Sequence, residues 1–324
     1  MKVCIYGAGA IGGWIGSGLA HAGCSVSVVE RGATLDALQL HGLRLHEGAS
    51  VTSQAVASSE SPAEFGVQDL VVLAIKGPSL PEVARQIAPL LGPNTIVLTA
   101  MNGVPWWFLE GFGGALAGTR LTSVDPGGAL AEALPAHHII GCVVHASCSV
   151  DEPGLVHHHF GNTLILGEPS GEKTPRVQQL AALFEKAGFE APVSEQIQKD
   201  IWFKLWGSMT VNPISALTGA TTDLIMGDEL VRGFISSVML EAREIGARIG
   251  INIDQQPEDR HQVTRKLGAV KTSMLQDVEA GKAMELDTLV AAVRELGQLT
   301  KVPTPFTDAL LGLARLQARV HGLY

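Results

Sequence analysis

Cysteine is scarce in this chain, and spacings typical of metal ligands are absent. The 324 residues include four cysteines, and none of them stands in a C-x-x-C pair or at a zinc-binding spacing. This pattern favours a reducing compartment in which the cysteines are small, inert hydrophobic residues. The histidine run His157 to His159 has no nearby cysteine or carboxylate to complete a ligand set. We therefore predict no metal site and interpret the run as part of a partly exposed sheet edge.

Basic segments and long apolar runs are also missing. The chain has 23 Lys and Arg against 32 Asp and Glu, a net charge of −9, and no basic block, so we expect no nucleic-acid partner. Every apolar stretch is interrupted well before the ~20 residues that span a bilayer. The N-terminus opens into a strand-like run and lacks the features of a signal peptide. The sequence predicts a cytoplasmic protein with no membrane partner.

The first half of the chain alternates strands with helices. Lys2 to Tyr6, Ala10 to Ala22 and Ser25 to Val29 have the pattern of one βαβ unit. Leu70 to Ile75 and Thr95 to Thr99 are short continuous apolar runs, typical of strands that are covered on both faces. The predicted fold class is therefore α/β, with an N-terminal doubly wound sheet of the Rossmann type.

The second half of the chain is predominantly helical. Glycine-punctuated β segments from Ala136 to Glu168 indicate a hairpin that extends the sheet, and Pro175 to Gly188 has the pattern of a last helix. Helical spacing then recurs in Glu195 to Thr218, Asp228 to Gly250, Glu285 to Thr300 and Phe306 to Val320. Since the length also favours two domains, we predict a Rossmann domain at 1–194 and an all-helical domain at 195–324, with a cleft between them.

A glycine motif, GAGAIG, follows the first strand and opens the first helix. In a βαβ unit, Gly7 permits the tight turn, Gly9 lets backbone amides approach a pyrophosphate, and Gly12 lets the helix pack closely against the strand. The alternative is a glycine-rich turn that binds nothing. The predicted cofactor-binding residues of the motif are Gly7, Ala8, Gly9, Ala10, Ile11 and Gly12.

The end of the second strand carries both an acid and a base, Glu30 and Arg31. An acid at this position binds the ribose 2′-hydroxyl of NAD, whereas an arginine accommodates the 2′-phosphate of NADP. Arg31 is followed by a glycine and is free to fold over an adenosine. We therefore favour NADPH, with Arg31 as a binding residue, while NADH is not excluded. A solvated surface pair is the alternative interpretation.

Two polar residues follow neighbouring strands of the predicted sheet. Lys76 comes directly after one apolar run and Asn102 after the next. Ligands of such sheets bind beyond the carboxyl ends of the strands, so both residues are candidates for the cofactor edge. Capping of a strand by Lys76 and a plain Asn-Gly turn are the alternatives.

A single lysine stands in the apolar segment DIWFKLWGSMTVNPISALTG. Lys204 is the only charge from Ile201 to Thr222, and at helical spacing it lines up with Ser208 and Asn212. The opposite face is formed by Trp202, Leu205, Trp206 and Met209. A helix of this kind is expected to be buried nearly all round. A buried ammonium suits a proton donor near neutral pH, and snorkelling to the surface is the alternative.

These motifs, taken in order, resemble the ketopantoate reductase (2-dehydropantoate 2-reductase) family. The resemblance rests on GAGAIGG, the strand-end Lys76, the Asn-Gly pair at Asn102, the K-x7-N-P pattern from Lys204 to Pro213, TSMLQD from Thr272 to Asp277 and MELD from Met284 to Asp287. It implies NADPH-dependent reduction of a 2-oxo acid to a 2-hydroxy acid, in pantothenate synthesis when the substrate is ketopantoate.

The resemblance also implies roles for individual residues. Lys204 acts as general acid and Glu285 contacts a substrate hydroxyl, while Ser273 binds the carboxylate. Asn102 and Asn212 line the substrate site, and Lys76 lies near cofactor and substrate. Ser208, at a position between Lys204 and Asn212 on the same stripe, is a further predicted substrate-binding residue. Taken without the resemblance, Glu285 is a helix-start residue and Ser273 an N-cap.

The chain departs from the family pattern at two positions. Ser208 stands where the family usually has an asparagine, and Val270 stands where some members of the family have a further asparagine. A reductase of the same family that acts on a different 2-oxo acid is therefore an alternative, and a dinucleotide-binding sensor without catalysis is a further one. The expected assembly is a monomer or a homodimer.

Overall fold

The computed structural model describes residues 1–324, which form two compact units. Unit 1 comprises Met1–Met101 and Ala129–Asp200, and unit 2 comprises Asn102–Gly128 and Ile201–Tyr324. The units therefore differ from the predicted domains, whose boundary follows residue 194 and which place 102–128 in the first domain. The segment 102–128 belongs with unit 2 because it packs there: the rings of Phe108 and Trp202 lie 5.9 Å apart, centroid to centroid.

Unit 1 contains one nine-stranded sheet. Its strands are β1 (Lys2–Tyr6), β2 (Ser25–Val29), β3 (Leu43–Glu47), β4 (Ser50–Gln54), β5 (Ala57–Ser59), β6 (Leu70–Leu73), β7 (Ile96–Thr99), β8 (Ile139–Glu152) and β9 (Leu155–Gly167). Their order is β4-β3-β9-β8-β7-β6-β1-β2-β5, and the run from β8 to β5 is parallel throughout. The predicted doubly wound α/β sheet, including the antiparallel β8–β9 hairpin, is confirmed.

Helices cover the sheet because its central strands are apolar on both faces. The helices of this part of the chain are α1 (Ala10–His21), α2 (Gly32–His41), α3 (Leu80–Gln86), α4 (Ala129–Ala133) and α5 (Pro175–Lys186). All residues of β6 and β7 are buried, which is the pattern of parallel strands packed between two layers. Trp14 and Leu19 of α1 and Phe184 of α5 join the same core.

Unit 2 is built from helices and contains no strand. The helices are α6 (Ile197–Thr218), whose first residues belong to unit 1, α7 (Thr222–Gly227), α8 (Glu229–Arg248), α9 (Pro257–Arg265), α10 (Ser273–Glu279), α11 (Ala292–Thr300) and α12 (Pro305–Val320). A π-helical segment, Asp287–Ala291, leads into α11. Trp206 of α6 is fully buried, and its indole N–H donates to the carbonyl oxygen of Met239 in α8 at 2.7 Å.

The four cysteines are free thiols in this fold. Burial raises the pKa of Cys4 and of Cys148 to about 12, so neither supplies a thiolate at neutral pH. None of the helices combines the length and the apolar character needed to cross a bilayer.

The histidine run lies inside the sheet, which corrects the predicted sheet edge. His157 to His159 belong to β9, and β9 pairs with β3 on one side and β8 on the other. His157 contacts His46 of β3 through their Nδ1 atoms at 2.8 Å. The chain has no group of three or more histidine, cysteine or acidic side chains arranged to hold a metal ion.

We predict that Trp206→Ala lowers the free energy of unfolding by about 3–5 kcal/mol, since it leaves a large cavity between α6 and α8 and removes the hydrogen bond of the indole to Met239. Urea unfolding followed by circular dichroism measures the loss. Leu316→Ala is the matched control, because that side chain is 62% exposed and its loss should change stability by less than about 0.5 kcal/mol. Equal stability of the two variants would contradict the assignment of Trp206 to the core.

Candidate functional site

The glycine loop of unit 1 has the geometry of a phosphate cradle. Gly7 has a φ of +92°, and a Cβ added there would lie 2.6 Å from Ile75 Cγ2. A Cβ at Gly12 would lie 1.9 Å from the carbonyl oxygen of Gly7, whereas a Cβ at Gly9 would meet nothing within 4 Å. Gly7 and Gly12 thus permit close packing of strand and helix, and Gly9 keeps the approach to the helix open.

The N-terminus of α1 is open to an anion. Gly9 is the N-cap, has an extended backbone, and supplies no side chain that could cap the helix. The first turn of α1 contains no acidic residue, so its free N–H groups and the helix dipole favour a negatively charged ligand. The loop therefore fits the pyrophosphate of a dinucleotide, with Ala8, Ala10 and Ile11 supplying backbone around it.

Glu30 is a member of this site that the sequence-based set of binding residues omitted. Its carboxylate accepts the Ala8 N–H at 2.7 Å and the Arg31 N–H at 3.0 Å. The sequence signal that could have identified Glu30 is an acid at the end of the second strand, where a ribose hydroxyl binds in such folds. Glu30 therefore holds the glycine loop to the end of β2.

Arg31 extends over the surface of unit 1. Its guanidinium pairs with Glu82 of α3 at 2.9 Å, and the two side chains are 66% and 41% exposed. An exposed pair of this kind contributes little stability, so a ligand phosphate could replace Glu82 at small cost. Lys76 is half-buried and lies just beyond the end of β6, as the sequence predicted for the carboxyl edge of the sheet.

In unit 2, Lys204 is fixed by an amide oxygen. Its Nζ donates to Oδ1 of Asn102 at 2.8 Å, so the structure brings together two residues that the sequence separates by 102 positions. Lys204 is half-buried, as are Ser208 and Asn212 on the same stripe of α6. Because Asn102 is a neutral acceptor, it orients the ammonium without cancelling its charge.

The Asn102 turn is held against the π-helical segment. Gly103 has a φ of +82°, and a Cβ there would lie 2.6 Å from the carbonyl oxygen of Thr288. The next residue, Val104, donates its N–H to that same oxygen at 2.8 Å. π-helical turns are frequent at functional sites. Here the Thr288 carbonyl fixes the loop that carries Asn102.

Glu285 stands at the start of the same turn. It is 4% exposed, and its carbonyl oxygen accepts the Leu289 N–H at 3.3 Å. Through the contact between Thr288 and Val104, the segment of Glu285 and the turn of Asn102 are joined. A carboxylate so deeply buried requires partners, which is more than a surface helix-start residue needs.

The three remaining candidates differ in what their side chains do. The Ser208 hydroxyl donates to its own helix, at 3.3 Å to the carbonyl oxygen of Lys204 or 3.4 Å to that of Leu205. The side chain of Asn212 makes no hydrogen bond within the protein. Ser273 is exposed at the start of α10, but the N-cap is Thr272, whose hydroxyl accepts from Leu275 N at 3.2 Å. The N-cap interpretation of Ser273 is therefore wrong.

Comparisons with known proteins agree along the whole chain. Residues 3–106 match the family model described as ketopantoate reductase PanE/ApbA, and residues 196–318 match its C-terminal model. A 2-dehydropantoate 2-reductase from Mesorhizobium japonicum is 48% identical, with all of both chains covered. The crystal structure of a candidate ketopantoate reductase from Ralstonia solanacearum MolK2 has a TM-score of 0.94 and 54% identity, covering 99% of each chain. That of a 2-dehydropantoate 2-reductase from Geobacter metallireducens GS-15 has a TM-score of 0.85 and 26% identity over 98% of this chain and all of the other.

We predict that Gly9→Ala and Gly12→Ala separate ligand binding from folding. Gly9→Ala should weaken dinucleotide binding at least about tenfold, since a methyl group fills the open approach, and change stability by less than about 1 kcal/mol. Gly12→Ala should lower both the affinity for the dinucleotide and the stability of the protein, because its Cβ would meet the Gly7 carbonyl oxygen. Fluorescence titration and thermal unfolding measure the two effects.

Gly233→Ala is the control for this pair. It lies in α8, where a Cβ meets nothing within 4 Å, and should leave dinucleotide binding unchanged. Wild-type affinity of Gly9→Ala would contradict the assignment of the cradle.

Proposed function

Because the chain belongs to the ketopantoate reductase family, we propose that it reduces a 2-oxo acid to the 2-hydroxy acid, with 2-dehydropantoate as the favoured substrate and pantoate as the product. Lys204 is the general acid of this proposal. The observation that carries it is the hydrogen bond from Lys204 Nζ to Asn102 Oδ1, which presents an oriented ammonium on an otherwise uncharged stretch of helix. The product would serve pantothenate and coenzyme A synthesis.

The proposed chemistry needs a hydride and a proton. When bound, a reduced nicotinamide dinucleotide supplies the hydride to the carbonyl carbon. Lys204 stabilises the charge that develops on the carbonyl oxygen and then transfers a proton from Nζ to that oxygen, giving the 2-hydroxy group. Asn102 holds the ammonium in place, Glu285 binds a substrate hydroxyl, and Asn212 contributes its amide to the substrate.

NADPH is the proposed cofactor, with Arg31 as the residue that binds the 2′-phosphate. The support is its position at the end of β2 and its weak, exposed pairing with Glu82, which a phosphate can displace. NADH is the second candidate, and a specific contact favours it: Glu30 lies within hydrogen-bond distance of the glycine loop, where a carboxylate suits a ribose hydroxyl.

Two further alternatives carry over from the sequence. A different 2-oxo acid is favoured by Ser208, whose hydroxyl is turned onto its own helix. A non-catalytic dinucleotide sensor requires tight cofactor binding with no oxidation by any 2-oxo acid. The cytoplasmic location and the choice between monomer and homodimer stay predictions.

A substrate panel tests the function and the cofactor together. We expect oxidation of NADPH with 2-dehydropantoate at a higher kcat/KM than with 2-oxoisovalerate or phenylpyruvate, and a lower KM for NADPH than for NADH. Arg31→Ala should raise the KM for NADPH about tenfold and leave that for NADH unchanged, as loss of one charge-assisted contact predicts. Arg85→Ala, an exposed arginine on α3, is the control.

The outcomes of this panel separate the alternatives. Faster turnover of another 2-oxo acid would assign that acid as the substrate, and a lower KM for NADH would assign NADH as the cofactor. The absence of turnover with every acid would favour the non-catalytic dinucleotide sensor.

We predict that Lys204→Ala lowers kcat by about 10²–10⁴-fold, the usual contribution of a positioned acid, while the dinucleotide dissociation constant changes less than about threefold. Lys204→Arg should not restore turnover, since a guanidinium keeps its proton. Steady-state kinetics and fluorescence titration measure the two quantities. Lys199→Ala, an exposed lysine of the same helix, is the control, and substantial turnover by Lys204→Ala would overturn the mechanism.

A further inference from the structure

A second cation packs against helix α6, at Phe203 and Gly207. Arg260 of α9 is half-buried, and its guanidinium carbon lies 5.5 Å from the centroid of the Phe203 ring. No protein acceptor or carboxylate pairs with this guanidinium. Burial lowers the pKa of Arg260, and no neighbouring charge offsets that effect. Stacking on an aromatic ring leaves the edge of the guanidinium, with its N–H donors, available to an anion.

Helix α6 has a glycine at the position where this guanidinium packs. A Cβ added at Gly207 would lie 2.4 Å from Arg260 Nε and 3.0 Å from the guanidinium carbon. Glycine is unfavourable in the interior of a helix, so its presence here has a steric reason. Any side chain at position 207 would displace the guanidinium from the helix surface.

This packing puts Arg260 next to the proposed catalytic stripe. Residues three apart on a helix are neighbours on its surface, with roughly 5–6 Å between their Cβ atoms. Gly207 is therefore the surface neighbour of Lys204, three residues earlier on α6. A group that lies on Gly207 is within reach of a small ligand bound at Lys204.

The acids of α9 do not neutralise Arg260, because they are engaged elsewhere. Glu258 pairs with Arg265 at 2.6 Å and with His261 at 3.3 Å. Asp259 accepts the Gln256 N–H at 2.8 Å in a capping box. A partly desolvated cation without a counter-ion is costly, and a bound anion would remove that cost.

We propose that Arg260 binds the carboxylate of the 2-oxo acid substrate. The inference rests on the proposed function and deepens it. At position 208 the family usually has an asparagine, whereas Ser208 here donates to its own helix, and Val270 offers no polar group. The guanidinium replaces these missing donors with two parallel N–H groups that match the two oxygens of a carboxylate. Recognition of the acid thus shifts from amide groups to an arginine packed on α6, with Ser273, the carboxylate residue that the resemblance implies, as a second donor.

The test compares a 2-oxo acid with its uncharged methyl ester. For the best acid of the panel, Arg260→Gln should raise KM about ten- to a hundredfold, the size of one charged contact, and change kcat less than about threefold. The KM of the ester should be the same in wild type and variant. Arg260→Lys keeps the charge but loses the paired donors. Its KM for the acid should lie between those of the wild type and of Arg260→Gln. Arg265→Gln, on the same helix and paired with Glu258, is the control.

Calorimetric binding of the acid and the ester to the dinucleotide-loaded enzyme gives the same comparison without turnover. Equal weakening of acid and ester in Arg260→Gln, or equal affinity for both in the wild type, would overturn the proposal and assign Arg260 to packing. Turnover of any 2-oxo acid by the wild type would in that case leave the proposed function intact. Absence of turnover together with selective loss of acid binding would overturn the function and keep the carboxylate site.

Discussion

An ammonium group on a helix that is apolar on nearly every side needs an acceptor that the rest of the fold must supply. Asn102 supplies one for Lys204, at 2.8 Å. The asparagine is itself fixed, because the backbone of Val104 is bonded to Thr288 and because Gly103 has no side chain to prevent that approach. One hydrogen bond therefore depends on three segments that are distant in sequence. Any change that loosens one of them also loosens the proposed proton donor.

The dinucleotide cradle depends on a different constraint, the absence of side chains. Gly7 and Gly12 are required for packing, whereas Gly9 is required only for access. Next to this cradle, two charges of opposite sign compete to define the cofactor. Glu30 accepts a hydrogen bond from the loop, whereas the guanidinium of Arg31 pairs with Glu82. In the proposed site, the preference for NADPH or NADH depends on whether a bound adenosine displaces Arg31 from Glu82 or hydrogen-bonds to Glu30.

The proposed recognition of the substrate on α6 depends on the residues that border its polar stripe. Ser208 is satisfied by its own helix, so the stripe offers fewer donors than its polar sequence suggests. Gly207 compensates by admitting Arg260, which has no counter-ion in the protein. In the proposed site, Lys204 and Arg260 together offer two cationic groups to a small organic anion. The carboxylate of any 2-oxo acid would meet that requirement.

The sequence by itself determined the fold class, the glycine cradle and the lysine of α6, because each follows from local spacing: apolar runs, a motif within one βαβ unit and a helical stripe. It missed short, polar elements such as α9, where helix formation depends on a capping box and on packing. It also placed 102–128 in the first domain, since the contact of Phe108 with Trp202 leaves no local signal. Only the tertiary structure decided that Lys204 meets Asn102 and that Arg260 lies on Gly207. These contacts join residues that are far apart along the chain, and no periodicity of the sequence encodes a distance of that kind.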